Sequence, residues 1–94
     1  ILPSLGQFAN AGDRLVARAV VRNETGHAGQ VVVELKTPDS TNSVTLDIPD
    51  GGSRAADFTL SFRHPGTAEF EWSATMEAGG TPFADRVKTS LPIG

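Results

Sequence analysis

The 94-residue chain contains no cysteine and no tyrosine. Without cysteine there is no thiolate nucleophile, no thiolate metal ligand and no disulfide, so the fold must be held by its core alone. Small secreted animal domains often depend on disulfides, whereas cysteine-free sandwiches are common among bacterial envelope and surface proteins. The lack of tyrosine removes a Tyr-rich recognition surface of the antibody kind. Clustered basic residues are missing as well. Lys and Arg total 8 against 11 Asp and Glu, a net charge of −3, and the signs are interspersed, which leaves no electrostatic footprint for nucleic acid. Apolar runs end after three or four residues, as at 19–21 and 31–33, against the roughly 20 needed to cross a bilayer as a helix. No membrane insertion by this domain is therefore expected. Nor does any long segment carry a 3.6-residue period, so no substantial helix is expected.

What the chain does have is alternation. Leu15, Ala17, Ala19 and Val21 share one side of a strand whose other side carries Arg14, Arg18 and Arg22 with Val16 and Val20 among them. Val31, Val33 and Leu35 alternate with Glu34 and Lys36, and Val44, Leu46 and Ile48 alternate with Thr45 and Asp47. After "PDGGS" at 49–53 the inward set is Ala56, Phe58, Leu60 and Phe62, and "HPG" at 64–66 ends the run. The clearest case sets Ala68, Phe70, Trp72, Ala74 and Met76 against Glu69, Glu71, Ser73, Thr75 and Glu77. "AGGTP" at 78–82 makes the next turn, and Val87, Thr89 and Leu91 continue inward. With a short edge segment at 5–8 and a polar loop, "TPDSTNS", at 37–43, the reading is all-β. It is a seven-stranded antiparallel sandwich, immunoglobulin- or fibronectin III-like, over residues 1–94 as one domain. Trp72 is expected near its centre, between the sheets.

Candidate chemistry is thin. His27 adjoins Gly26 and His64 lies two residues before Gly66, both in expected turns, with no helical spacing to make them metal ligands. The serines fall in no Gly-x-Ser-x-Gly elbow. Glu69, Glu71 and Glu77 sit on one strand face at intervals that imitate a glycosidase pair, but any strand with one wet face produces the same pattern. The glycine pairs lack the lysine and helix of a phosphate loop. The aspartates 13, 39, 47, 50, 57 and 85 show no repeated Asp-x-Asp calcium spacing. Arg14, Arg18 and Arg22 are expected to pair with acids across strands. No catalytic, cofactor-binding or metal residue is assigned, no cofactor is expected, and the chain is read as no enzyme. "RNETGHAG" at 22–29 holds an N-glycosylation sequon, Asn23-Glu24-Thr25. It is read as an exposed corner between the second and third strands, with Asn23 and Gly26 both suited to positive φ.

Three pieces in order resemble the alpha-2-macroglobulin family: "LPSLGQFANAGDRLVARAVVRNETG" at 2–26, "VTLDIPDGGSRAADFTLSF" at 44–62 and "GTAEFEWSATMEAGGTPFADRVKTSLPI" at 66–93. The shared features fall at Leu2-Pro3, Gly12-Asp13, Arg22-Asn23, Gly51-Gly52, Ala84-Asp85 and Leu91-Pro92. The chain departs from the family at Ser4, where bacterial members often carry a basic residue. It has no bait segment, and the thioester motif cannot lie here because cysteine is absent. The resemblance implies the macroglobulin domain that follows the bait region, excised from a larger bacterial protease inhibitor. Such a domain does no chemistry and positions the bait and thioester regions for protease trapping. Implied partners are neighbouring domains of the same chain, and proteases as targets of the full-length protein, in the periplasm or outside the cell. The isolated domain is expected to be a monomer. The alternative from another class is a ligand- or carbohydrate-binding sandwich module of a bacterial surface protein.

Overall fold

The structure, a computed structural model, describes residues 2–4, 12, 14–38, 40–62, 64–78 and 81–94. Its strands are β1 (Leu2–Ser4), β2 (Arg14–Arg22), β3 (Gly29–Lys36), β4 (Thr41–Ile48), β5 (Ser53–Ser61), β6 (Gly66–Ala78) and β7 (Thr81–Ile93). Because β1 has only three residues, six longer strands carry the fold. The described residues contain no helix, and every pairing is antiparallel. One sheet runs β1-β2-β5 and the other β4-β3-β6-β7. The chain thus crosses from sheet to sheet after β2, after β4 and after β5.

The period-2 pattern decides which side of each strand is dry. Ala17, Ala19 and Val21 of β2, with Ala56, Phe58 and Leu60 of β5, face Val33, Leu35, Phe70 and Trp72 of the other sheet in one continuous core. Phe58 and Trp72 meet edge to face across the sheets, with ring centroids 6.0 Å apart and planes at 66°. Phe62, just past β5, stacks on Phe70 at 5.9 Å and 19°. Trp72 is wholly buried. A buried indole N–H is costly unless bonded, and Nε1 donates to Thr89 Oγ1 at 3.1 Å. This explains why an inward position of β7 carries a threonine.

Two boundaries differ from the sequence expectation. The polar stretch 37–43 is not all loop: Thr41 pairs with Lys36 and Ser43 with Glu34, so β4 starts at Thr41. The connection is only 37–40, closed by Thr37 N–H donating to Ser40 O at 2.8 Å. Thr41, Asn42 and Ser43 are exposed on an edge strand, where polar residues are tolerated, so polarity alone marks them as loop. The second difference is β7, which begins at Thr81 rather than after a turn at 78–82 and runs through Pro82 and Pro92. Proline belongs in a strand only where its missing N–H faces away from the ladder, and β7 is an edge. The segment expected at 5–8 lies outside the described residues; among them, Leu2, Pro3 and Ser4 pair with Val20, Ala19 and Arg18.

Removing the indole should leave a void that two sheets cannot both close. Trp72→Ala is expected to destabilise the fold by roughly 3–5 kcal/mol in urea unfolding. A loss below about 1 kcal/mol would place Trp72 outside the load of the core.

Candidate functional site

The stretch "RNETGHAG" begins at the last residue of β2 and ends at the first of β3, on one of the sheet-to-sheet crossings. Its glycine at 26 has φ of 85°, a left-handed value that suits glycine. Asn23 does not share that role, since among the described residues no side-chain-bearing residue has positive φ. It works through its amide instead. Asn23 is 2 % exposed and is the buried polar residue of the corner. Its Nδ2 donates to His27 O at 2.6 Å and to Ile48 O at 3.0 Å, and its Oδ1 accepts from Thr25 N–H at 3.1 Å and Thr25 Oγ1 at 2.7 Å. Both amide hydrogens and both acceptor positions are used.

The backbone of Asn23 makes a second set of bonds. Its N–H donates to Gly52 O at 2.9 Å, and its carbonyl accepts from Gly51 N–H at 2.8 Å. Residues 49–52 form the turn of the β4–β5 crossing, closed by Gly52 N–H on Pro49 O at 2.9 Å. Gly51 has φ of 73°, as the third position of a type II turn requires. One asparagine therefore ties the β2–β3 crossing to the β4–β5 crossing, and through Ile48 it ties both to the end of β4. The expectation of an exposed sequon is corrected here. The nitrogen that a glycosyl donor would need is buried and donates to two carbonyls, so the folded chain presents no acceptor amide.

The other sequence candidates stay apart. His27 and His64 are exposed at separate turns. No three His, Asp or Glu side chains converge to hold a metal among the described residues. Glu69 and Glu77 are exposed and Glu71 is half-exposed, 3.8 Å from Arg86 on β7. Of the three arginines on β2, Arg18 alone pairs across strands among the described residues: its Nε and Nη2 donate to the two carboxylate oxygens of Asp57 on β5, at 2.7 and 3.0 Å. This hydrogen-bonded guanidinium holds the Asp57 carboxyl below its usual range, and the carboxylate in turn raises Arg18. Arg22 pairs with Glu24 in the corner, at 3.0 Å. Arg14 has no ion-pair partner among the described residues.

Two concavities stand out among the described residues. An open groove of about 640 Å³ crosses the outer side of β3, β6 and β7, between Lys36 with Pro38, Glu69 with Glu71, and Lys88 with Ser90. Its two lysines and two glutamates balance, and its aromatic ring, Phe70, is 1 % exposed, so it offers no ring on which a sugar can stack. The second is a cleft of about 150 Å³ at the corner end, lined by Val21, Val31, Ala74, Met76 and Phe83 beside Asn23 and Thr25. Phe83 is 39 % exposed there. Sequence reasoning misses this cleft because Phe83, just past the turn expected at 78–82, belongs to none of the inward sets. Compared with known family models, curated proteins and solved structures, the chain matches none of them.

Loss of the Asn23 amide should loosen both crossings at once. Asn23→Ala is expected to cost about 1–3 kcal/mol, since it removes a donor from each of two carbonyls and the acceptor of Thr25 N–H. In hydrogen exchange it should speed the Gly52 amide as well as Thr25. Faster exchange at Thr25 alone would mean that the two crossings are independent.

Proposed function

We propose that the chain is a non-catalytic macroglobulin-type module of a bacterial alpha-2-macroglobulin-like protease inhibitor. In this reading it is a seven-stranded sandwich of the immunoglobulin/fibronectin III kind, in which β1 counts as the first strand. It sits in the cell envelope or outside the cell and holds the bait and thioester regions in position for trapping. The observation that carries the reading is the bonding of Asn23 to Gly51 and Gly52. Arg22-Asn23 and Gly51-Gly52 are separate pieces of the family resemblance, 28 positions apart from Asn23 to Gly51, and here they form one hydrogen-bonded unit. A chain that keeps one piece has a physical reason to keep the other. The three-plus-four strand partition and the dispersal of titratable side chains over wet faces support the same reading. A rigid module joined to neighbours needs a stable frame rather than a reactive site.

The parent gene decides the matter. Roughly 200 residues downstream, allowing for ordinary domain lengths, should contain a cysteine-bearing thioester domain or its degenerate equivalent. In the full-length protein, Asn23→Ala should then reduce the amount of protease trapped per molecule while leaving bait cleavage intact. A downstream series of repeated sandwich modules leading to a glycosidase would contradict the proposal.

A further inference from the structure

The two sheets leave the long edges β4, β5 and β7 open, and they are not alike. β7 carries Pro82 near one end, Pro92 near the other, and Arg86 and Lys88 between. Prolines and charged side chains are how natural edges resist a further strand. β5 has no proline, but its inward residues Ala56, Phe58 and Leu60 are already buried, at 1, 6 and 5 % exposure. β4, "TNSVTLDI", has no proline and no basic residue over eight positions, and Thr41, Val44, Thr45 and Ile48 are β-branched. Its inward Val44 and Leu46 are only half-buried against the core. This edge is both open to a strand and short of apolar cover.

We propose that β4 pairs antiparallel with β4 of a second copy, with Val44 on the two-fold axis. In an antiparallel self-pairing, inward residues must oppose inward residues, so the two opposed numbers add to an even total. With Val44 opposite Val44, Leu46 lies opposite Asn42 and Asp47 opposite Thr41. That register also places charge. Thr41 is beside Lys36 on β3, so the row across the outer surface reads Lys36, Thr41, then Asp47 of the partner subunit. Two strand spacings separate the ends of that row by about 10 Å, a span that the flexible lysine stem and the aspartate share. Neither Lys36 nor Asp47 has an ion-pair partner within one copy, among the described residues. The symmetry forms the pair twice. An isologous contact closes on itself, and it joins the two four-stranded sheets edge to edge without opposing like charges. The reading from sequence alone is a monomer, because the position of an edge and its register are set only when the strands pair. The inference does not rest on the proposed inhibitor role.

Sedimentation equilibrium of the chain up to about 1 mM should show a reversible dimer. Lys36→Asp and Asp47→Lys each turn two attractive pairs into two repulsive ones, and each should weaken the dimer roughly fivefold or more at low salt. The double variant restores both pairs and should recover most of the affinity. Both positions are exposed, and circular dichroism should show the strand signal unchanged in all three proteins. Because the chain has no cysteine, Val44→Cys should give a covalent dimer under mild oxidation, whereas Thr59→Cys on the outer side of β5 should not. A chain that stays monomeric overturns the proposal, as does a dimer that the double variant fails to restore or that Cys at 44 does not capture. If the monomer instead takes up an extended β-strand peptide at this edge, the occupant is a peptide and the second copy is excluded.

Discussion

The contact on which the fold depends is the ring pair between its sheets, Phe58 against Trp72. With no disulfide available, nothing covalent keeps one sheet over the other, and the sandwich persists only as far as its inner faces interlock. Trp72 spans that gap and satisfies its own N–H on Thr89. Phe62 and Phe70 repeat the arrangement a short way along the strands. In the same core β2 offers Ala17, beside Phe58 in its own sheet, and Ala19, both fully buried, and small residues among large ones let the layers approach closely. Larger residues at 17 or 19, both without exposed surface, would need room in a core that is already closed.

Asn23 solves a different problem created by the same architecture. Each time the chain changes sheet, backbone N–H and C=O groups leave the ladders and need other partners. Two of the crossings lie at one end, and a single amide with its own backbone provides for both. The arrangement is stable because it is complete: a buried polar group with every position filled is favourable, whereas one left partly unsatisfied is costly. The same closure that makes the corner firm removes Asn23 from modification chemistry. A sequon read as three letters takes no account of where the amide hydrogens go.

The inward sets of all the long strands could be read from sequence, down to Trp72 at the centre, because a buried face imposes a period that turns and loops do not share. The boundaries of β4 and β7 could not. Thr41 to Ser43 are polar because an edge strand has a wet rim, and Pro82 is allowed because β7 has no outer neighbour. Both follow from lateral strand order, which no local pattern encodes. From sequence Asn23 stands out as a sequon and a left-handed turn residue, and neither is its part in the fold. Its bonds reach Ile48 and Gly52, partners far away in sequence. The cross-strand pairing of Arg18 with Asp57 was foreseeable from alternating charge, but which of the three arginines would pair depended on the register of β2 against β5.

If the sheets are held together by the ring pair, its two members must be energetically coupled. The direct measurement is a double-mutant cycle with Phe58→Leu and Trp72→Phe, followed by denaturant unfolding. The account predicts a coupling of about 0.5–1.5 kcal/mol, the range for aromatic pairs beyond their buried area. Strict additivity of the two losses would contradict it and make the rings independent fillers of a common core.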